Sequence, residues 1–186
     1  MEQSKNDVAL GRFLSLVLRH HPEAAGITLD EHGWADVEEL LAGARRAGKQ
    51  IDRETLDRIV RENAKQRYSM SEDRTRIRAN QGHSIQVDVE LKQADPPDVL
   101  YHGTAVRFLE GIKRDGITKQ GRQHVHLSGD EATAVSVGSR HGKPVVLRID
   151  ARKMAEEGKV FYLSENGVWL CDSVDWKYVL NKEVCR

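Results

Sequence analysis

The sequence predicts an α+β protein with two lobes, and three observations support this prediction. Apolar residues in the first third of the chain recur at helical spacing, whereas apolar residues after position 98 mostly alternate at strand spacing. A polar, proline-containing stretch, KQADPPD, separates these two regions at residues 92–98. We therefore expect one lobe over residues 1–93 and a second over residues 98–186.

The N-terminal lobe begins with three predicted helices. The first ends near position 20, because Pro22 disfavours helical backbone in the residue before it. In the second helix, Asp36 is the expected N-cap, Glu39 completes a capping box and Gly48 ends the helix. Asp52 is the expected N-cap of the third helix.

Strand spacing replaces helical spacing after the third helix. Tyr68 and Met70 alternate, the sequence SEDR makes a turn, and Ile77 lies on the returning strand. Three helices followed by a two-stranded hairpin are typical of a winged-helix-like lobe, an architecture that by itself does not establish function. A further strand is predicted from the alternation of Ile85, Val87, Val89 and Leu91.

The C-terminal lobe is rich in strand patterns. Five segments alternate or are continuously apolar: VLYHG, HVHLS, PVVLRID, KVFYLS and GVWLC. Short helices are predicted between them near residues 105–115, 130–140 and 151–157. This order predicts a compact α+β lobe with a mostly antiparallel sheet. Neither GxGxxG nor GxxxxGK[ST] occurs, so a Rossmann or P-loop nucleotide site is not indicated.

Charge and cysteine content indicate which partners and which cellular compartment to expect. The chain has 186 residues, and its 29 basic and 29 acidic residues cancel. Residues 45–78 nevertheless hold 11 Lys/Arg against 6 Asp/Glu, which is either a solvated surface or a footprint for a phosphate backbone. Two isolated cysteines, Cys171 and Cys185, and the lack of an apolar signal or membrane-length segment favour a soluble cytoplasmic protein. We expect a monomer.

Four basic residues in three segments form the leading candidate site: Arg19, His20, Arg67 and Arg122. The arginine guanidinium is permanently charged, and its planar set of N–H donors matches phosphate oxygens. Histidine transfers protons near neutral pH. If these side chains converge, they bind a phosphate and act on it. An alternative for Arg19 and His20 is stabilisation of a helix C-terminus by positive charge.

Other motifs carry weaker signals. His102, Gly103 and Thr104 in YHGT follow a strand, as in a ligand-binding loop or an ordinary turn. His124 and His126 in HVHLS share one strand face, and zinc ligation ranks below a ligand-binding or structural role because no third ligand is nearby. The loop RANQGHS, residues 78–84, is dense in hydrogen-bonding groups, which is also expected of a polar turn.

Taken together, the order and spacing of these motifs resemble the NAD-dependent RNA 2′-phosphotransferase family over nearly the whole chain. The matching segments are FLSLVLRHHPE, GW, KQRY, RANQGHS, LYHGT, HVHLS, RHGKPVVL and ENGVWL. The resemblance implies an RNA-binding winged-helix lobe and a C-terminal lobe with the ADP-ribosyltransferase fold. It also implies a catalytic tetrad of Arg19, His20, Arg67 and Arg122, with the phosphate held in the cleft between the lobes.

The resemblance also implies where the two substrates bind. We place the NAD contacts at His102, Gly103, Thr104, His126, Ser128, Arg140 and Gly142. We place the phosphate and RNA contacts at Arg19, His20, Lys65, Arg67, Arg78, Asn80, His83 and Arg122. We expect no metal. Many ADP-ribosyltransferases carry a catalytic glutamate at a position that falls on Val168 here, and neighbouring Glu165 is not assigned that role.

The implied reaction removes an internal RNA 2′-phosphate, of the kind left at a tRNA splice junction, by transferring it to NAD. An RNA-2′-phospho-ADP-ribose intermediate forms, and the products are 2′-hydroxyl RNA, ADP-ribose 1″,2″-cyclic phosphate and nicotinamide. Two alternatives stay open from the residues alone. One is an RNA-binding module without chemistry, and the other is a metal-free RNA hydrolase using His20 or the pair His124 and His126.

Overall fold

A computed structural model describes residues 5–181, which form two compact units. The first unit ends at Glu90 and the second begins at Leu91, just before the proline-containing stretch. Each unit has its own cluster of buried apolar side chains.

Cys171 is a buried free thiol, and Cys185 lies outside the described residues. None of the helices in residues 5–181 combines the length and apolar composition that a membrane crossing requires.

The N-terminal unit contains three helices whose ends follow local sequence signals. They are α1 (Lys5–Arg19), α2 (Val37–Arg46) and α3 (Arg53–Glu62), with a 3₁₀ turn at Pro22–Ala25. The Asp36 carboxylate accepts a hydrogen bond from the Glu39 amide at 2.9 Å, and the Asp52 carboxylate accepts one from the Thr55 amide at 2.8 Å. Both predicted caps are therefore confirmed, and each satisfies an otherwise unpaired N–H of a first helical turn.

A small antiparallel sheet completes this unit. Its strands are β1 (Ala35–Asp36), β2 (Tyr68–Met70) and β3 (Arg76–Ala79), in the order β1-β3-β2. The predicted hairpin is β2–β3, and β1 adds a third strand that is too short to give a sequence pattern. The sheet and helices enclose fully buried apolar side chains, among them Leu14, Val17, Leu18, Leu40, Leu56 and Ile77.

The strand predicted over residues 85–91 is wrong, because no strand pairing forms there. The segment instead packs against the loop at residues 31–33. The Asp88 amide donates to the Glu31 carbonyl at 2.8 Å, and His32 Nδ1 donates to the Asp88 carbonyl at 2.9 Å. Val89 is buried beside Gly33, and Glu90 adopts a left-handed φ of 56°, which ends any extended run. Alternating burial here reflects packing on a loop rather than a hydrogen-bonded ladder.

The C-terminal unit alternates short helices with antiparallel strands. The first strands are β4 (Lys92–Gln93), β5 (Val99–Ala105), β6 (Ile117–Thr118) and β7 (Val125–Leu127). The later strands are β8 (Pro144–Asp150), β9 (Tyr162–Leu163), β10 (Trp169–Cys171) and β11 (Ser173–Val174). The helices are α4 (Leu109–Asp115), α5 (Glu131–Gly138) and α6 (Ala151–Glu156), near the three predicted positions.

Strand pairing in the C-terminal unit brings two of the sequence motifs together. β5 pairs with β8 along its whole length, and a four-stranded sheet has the order β4-β9-β10-β7. Tyr101 on β5 and Ser128, directly after β7, exchange backbone hydrogen bonds of 2.9 and 2.8 Å. This bridge places the YHGT segment beside the HVHLS segment. Every strand pairing within residues 5–181 is antiparallel, in agreement with the predicted sheet type.

Helix α5 packs unusually close to strand β5, and two glycines make this possible. A Cβ at Gly103 would overlap the Ala134 carbonyl oxygen, and one at Gly138 would lie 2.6 Å from the Thr104 carbonyl oxygen. Backbone atoms cannot move aside as a flexible side chain does. Both positions therefore require glycine for packing.

Candidate functional site

Three of the predicted basic residues form what we call the N-terminal cluster: Arg19, His20 and Arg67. Arg19 is the last residue of α1, and His20 follows it directly. The Ser84 amide donates to the Arg19 carbonyl at 3.0 Å, and the Ser84 Oγ forms a 2.9 Å hydrogen bond with His20 Nδ1. Ser84 thus fixes the end of this helix through its backbone and the imidazole through its side chain.

Gly82 and His83 lie behind the same helix end. Gly82 has a φ of +88°, and a Cβ there would be 3.5 Å from Arg19 Nη1, so the guanidinium lies against the bare glycine backbone. The His83 side chain is only 1% exposed. Burial, followed by the charges of Arg19, His20 and Arg78, lowers the pKa of its imidazole to about 4, and a backbone hydrogen bond with Leu18 opposes this. His83 is therefore neutral at pH 7.

A tightly bonded loop presents Arg67. The Asn63 Oδ1 accepts hydrogen bonds from the Lys65 and Arg67 amides at 3.2 and 3.3 Å. The Asn80 amide donates to the Arg67 carbonyl at 2.9 Å, and Asn80 Nδ2 donates to the Gln66 carbonyl at 2.7 Å. These bonds hold Gln66 at a left-handed φ of 42°, which turns the chain into strand β2.

Residues 80–84 connect the two parts of the N-terminal cluster. Asn80, at one end of this segment, bonds to Arg67, and Ser84, at the other end, bonds to Arg19 and His20. Burial raises the pKa of the Tyr68 phenol, and the Ser15 hydrogen bond and the positive charges of Arg19 and Arg67 oppose this. Both predicted arginines of this unit are held, through their backbone carbonyls, by one short segment of the chain.

Three of the predicted phosphate and RNA contacts are held by contacts within the N-terminal unit. His83 is buried, and Asn80 is 5% exposed with its amide engaged by Gln66 and Ser69. The Arg78 side chain is 12% exposed, forms a 2.9 Å ion pair with Glu90 and stacks on the Trp34 ring at 4.5 Å. Asn80 thus bonds to buried backbone and Arg78 to a carboxylate, whereas the His83 ring packs in the interior.

The C-terminal unit holds a second group, which we call the C-terminal cluster: His102, Arg122 and His126. The His102 Nδ1 donates to the His126 carbonyl at 3.2 Å. The Arg122 Nη1 donates to His126 Nδ1 at 3.3 Å. Arg122 is exposed on the loop before β7, whereas the two histidines are half-buried on neighbouring strands.

The hydrogen bonds of the C-terminal cluster set the state of each ring. A carbonyl accepts only, so His102 Nδ1 carries a proton, and an arginine donates only, so His126 Nδ1 accepts. Burial lowers the pKa of His102, the bond to the His126 carbonyl opposes this, and the Arg122 charge lowers the pKa further. A neutral His102 therefore offers its Nε2 as an acceptor, and His126 offers Nε2–H as a donor.

The remaining predicted NAD contacts differ in their surroundings. Thr104 is buried, Ser128 is half-buried at the bridge to β5, and Arg140 is exposed. Gly142 has a φ of 128°, a backbone conformation that favours glycine. The side-chain face of Gly103 is filled by the backbone of α5.

His124 does not belong to the C-terminal cluster. It packs edge-on against the Tyr162 ring with centroids 5.8 Å apart, and burial lowers its pKa, followed by the Lys119 charge, whereas the Asp172 charge opposes this. In residues 5–181, no three His, Cys, Asp or Glu side chains are arranged to hold a metal ion.

Comparison with known proteins identifies the family. A family model described as "RNA 2'-phosphotransferase, Tpt1 / KptA family" matches residues 5–173. The chain belongs to this family. It is 55% identical over 175 residues to a "Probable RNA 2'-phosphotransferase" of Fusobacterium nucleatum subsp. nucleatum, covering 94% of this chain and 98% of that protein. A protein with the same name in Rhodopirellula baltica is 51% identical over 180 residues, covering 96% of this chain and 98% of that protein. Another, in Agrobacterium fabrum, is 53% identical over 171 residues, covering 92% of each chain.

Val168 stands at the position where the resemblance places the glutamate of many ADP-ribosyltransferases. Its backbone closes a tight turn, with the Val168 amide donating to Ser164 Oγ at 3.0 Å and the Ser164 amide donating to the Val168 carbonyl at 3.0 Å. Glu165 is exposed and lies 4.0 Å from Lys92. Val168 therefore closes a turn through its backbone, and Glu165 lies on the surface.

Sequence reasoning missed three residues that organise the N-terminal cluster: Asn63, Tyr68 and Ser84. Tyr68 was predicted only as a strand residue, and its hydroxyl donates to the Gly11 carbonyl and accepts from Ser15, both at 2.7 Å. Asn63 at the end of α3 carried a usable signal, because asparagine often bonds to the backbone two residues on. Ser84 gave no such signal, because its partner lies 64 residues away.

Proposed function

We propose that this protein removes an internal RNA 2′-phosphate by transferring it to NAD. The reaction passes through RNA-2′-phospho-ADP-ribose and yields 2′-hydroxyl RNA, ADP-ribose 1″,2″-cyclic phosphate and nicotinamide. Family membership supports the phosphotransferase activity. The observation that carries the proposal is the N-terminal cluster, in which residues 80–84 hydrogen-bond to the backbones of Arg19 and Arg67 and to the His20 imidazole. This is a phosphate-binding group with a proton carrier.

The C-terminal cluster fits NAD as the co-substrate. Ribose hydroxyls need both hydrogen-bond donors and acceptors, which neutral His102 and His126 provide at their Nε2 atoms. NAD supplies a ribose carbon that carries nicotinamide as the leaving group and an adjacent ribose hydroxyl. We assign its binding to His102, His126, Ser128, Arg140 and the backbone around Thr104 and Gly142.

In the first step, the main task of the protein is orientation. A 2′-phosphate oxygen forms a bond to the ribose carbon, and the carbon–nitrogen bond to nicotinamide breaks with its electron pair. The nucleophile is already an anion, so no general base is needed. This explains how Val168 can stand where related enzymes carry a glutamate. Arg19 and Arg67 hold the phosphate in position for attack.

In the second step, the protein stabilises charge and moves a proton. The ribose hydroxyl adjacent to the new bond attacks phosphorus and releases its proton to solvent. The bond between phosphorus and the RNA 2′-oxygen breaks, and the leaving oxygen takes a proton from His20. Arg19, Arg67 and Arg122 stabilise the charge that builds on the phosphoryl oxygens. His20 recovers its proton from solvent, which completes the cycle.

The proposal is tested by incubating a 2′-phosphorylated RNA with the protein in the presence and absence of NAD. We expect loss of the 2′-phosphate and release of nicotinamide with NAD, and neither without it. RNA binding with no chemistry in either arm would identify a binding module. Phosphate loss or strand cleavage without NAD would identify a hydrolase, and both outcomes contradict the proposal.

A further inference from the structure

Ser84 contacts two neighbouring residues of the N-terminal cluster at once. Its amide donates to the Arg19 carbonyl at 3.0 Å, and its Oγ bonds His20 Nδ1 at 2.9 Å. We propose that Ser84 is a positioning residue that aims His20 at the leaving oxygen in the second step. This inference rests on the proposed function and adds a residue to which no role had been assigned.

The two residues that precede Ser84 are both packed against the rest of the unit. The residue before it, His83, is anchored in the interior with 1% exposure. Gly33 packs next to that imidazole, since a Cβ there would be 3.5 Å from His83 Nε2, an ordinary contact distance. One residue earlier, Gly82 lies against the Arg19 guanidinium. The Ser84 side chain is thus exposed, whereas the backbone that carries it is anchored.

The position of the hydrogen bond on the imidazole ring decides which nitrogen can act. Because Oγ engages Nδ1, we assign the proton transfer to Nε2. A hydroxyl both donates and accepts, so it can accept from Nδ1–H while His20 is protonated. After Nε2 has given its proton to the leaving oxygen, the same hydroxyl can still bond to the neutral ring. Ser84 thus holds one ring orientation through both protonation states.

The first test is Ser84→Ala, followed in single-turnover assays that resolve the two steps. Loss of a hydrogen bond of ordinary strength predicts a decrease of roughly tenfold in the second-step rate. The first-step rate stays near wild type, so ADP-ribosylated RNA accumulates. Ser84→Thr keeps the hydroxyl and restores the rate to within about threefold of wild type. A wild-type second step in Ser84→Ala, or no rescue by threonine, overturns the inference.

A double-mutant cycle separates positioning from a general structural role. If Ser84 acts through His20, Ser84→Ala has no further effect on the second step in a His20→Ala background. A loss in that background equal to the loss in wild type overturns the inference. Ser71→Ala is the matched control, because its hydroxyl also makes a side-chain bond in this unit, 2.7 Å to Asp73, and we expect no change in either step.

The same cycle distinguishes failure of this inference from failure of the proposed function. A fully active His20→Ala contradicts the proposed role of His20 and removes the basis for Ser84 as well. A slow second step in His20→Ala together with a normal one in Ser84→Ala overturns the role of Ser84 alone.

Discussion

His83 lies inside the N-terminal unit, close to three basic side chains, Arg19, His20 and Arg78. Its pKa of about 4 lies well below the ordinary value of 6.5, so the folded protein binds a proton on His83 less readily than the unfolded chain does. The contribution of the neutral His83 to the free energy of unfolding is therefore fully present above pH 6.5, and it is lost as the pH decreases from 6.5 towards 4. The loss over that interval is on the order of 3 kcal/mol.

His83→Leu tests this pH dependence, because leucine fills a similar volume without a titratable group. We expect the free energy of unfolding in urea to fall less between pH 7 and pH 4.5 in the variant than in wild type. The difference between the two profiles isolates His83 from the many carboxylates that titrate in both proteins. Parallel profiles would show that the imidazole is not held neutral by burial.

Arg67 offers a residue-level test of the phosphate chemistry. Arg67→Ala removes a permanent charge from a group that is needed most when charge builds on phosphorus, so the second step slows more than the first. The expected loss is roughly 10²–10³-fold in the second-step rate, with accumulation of ADP-ribosylated RNA. Gel separation of the RNA species at timed intervals measures both steps.

The control for Arg67→Ala is Arg152→Ala, which removes an exposed arginine of the other unit that pairs with Asp98 at 2.9 Å. We expect wild-type rates for both steps in the control. Wild-type turnover in Arg67→Ala would contradict the tetrad assignment.

At this scale, the sequence predicts the chemistry of side chains better than their location. Arg19, His20 and Arg67 are recognised by residue type and motif, whereas the burial of Asn80 and His83 is not visible in the sequence. Whether a polar side chain points inward depends on contacts distant in sequence, such as those of His83 with the residues around Arg19. Local pattern does not contain that information.

Among the secondary-structure elements, the contact between α5 and β5 depends most sharply on a single atom. Gly103→Ala places a methyl group where the Ala134 carbonyl oxygen lies. Because the obstruction is backbone, we expect a loss of about 3 kcal/mol or more in stability. Chemical denaturation measures this loss, and Gly129→Ala, at a glycine with open space around its missing Cβ, is the control expected to show little change.

The cap of α2 gives a second prediction for an element. Asp36→Ala removes the acceptor for the Glu39 amide and is expected to cost about 1 kcal/mol. Asp36→Ser keeps a capping oxygen and should recover most of that loss in the same denaturation experiment. Equal stability of the alanine and serine variants would mean that the cap contributes nothing.

Elements with local signals were predictable, and those defined by distant partners were not. The ends of α1, α2 and α3 follow from Pro22, Asp36 and Asp52, which act within one helical turn. Strand β1 has two residues and exists because it pairs with β3, some 40 positions later. The alternation over residues 85–91 predicted a strand, but burial against a loop produces the same apolar pattern.

For the whole molecule, the decisive signal was the joint order of motifs rather than any property of the composition. Net charge is zero, and no nucleotide fingerprint occurs, so neither RNA nor NAD is indicated by global features. The family match over residues 5–173 and identities of 51–55% along nearly the full chain agree with that order.

The most direct test of the central claim follows the phosphorus atom itself. RNA carrying a radiolabelled internal 2′-phosphate is incubated with the protein and NAD, and the labelled products are separated by chromatography. We predict that the label leaves the RNA and appears in ADP-ribose 1″,2″-cyclic phosphate, with one nicotinamide released for each phosphate transferred. Label recovered as inorganic phosphate, or retained on the RNA, would contradict transfer to NAD.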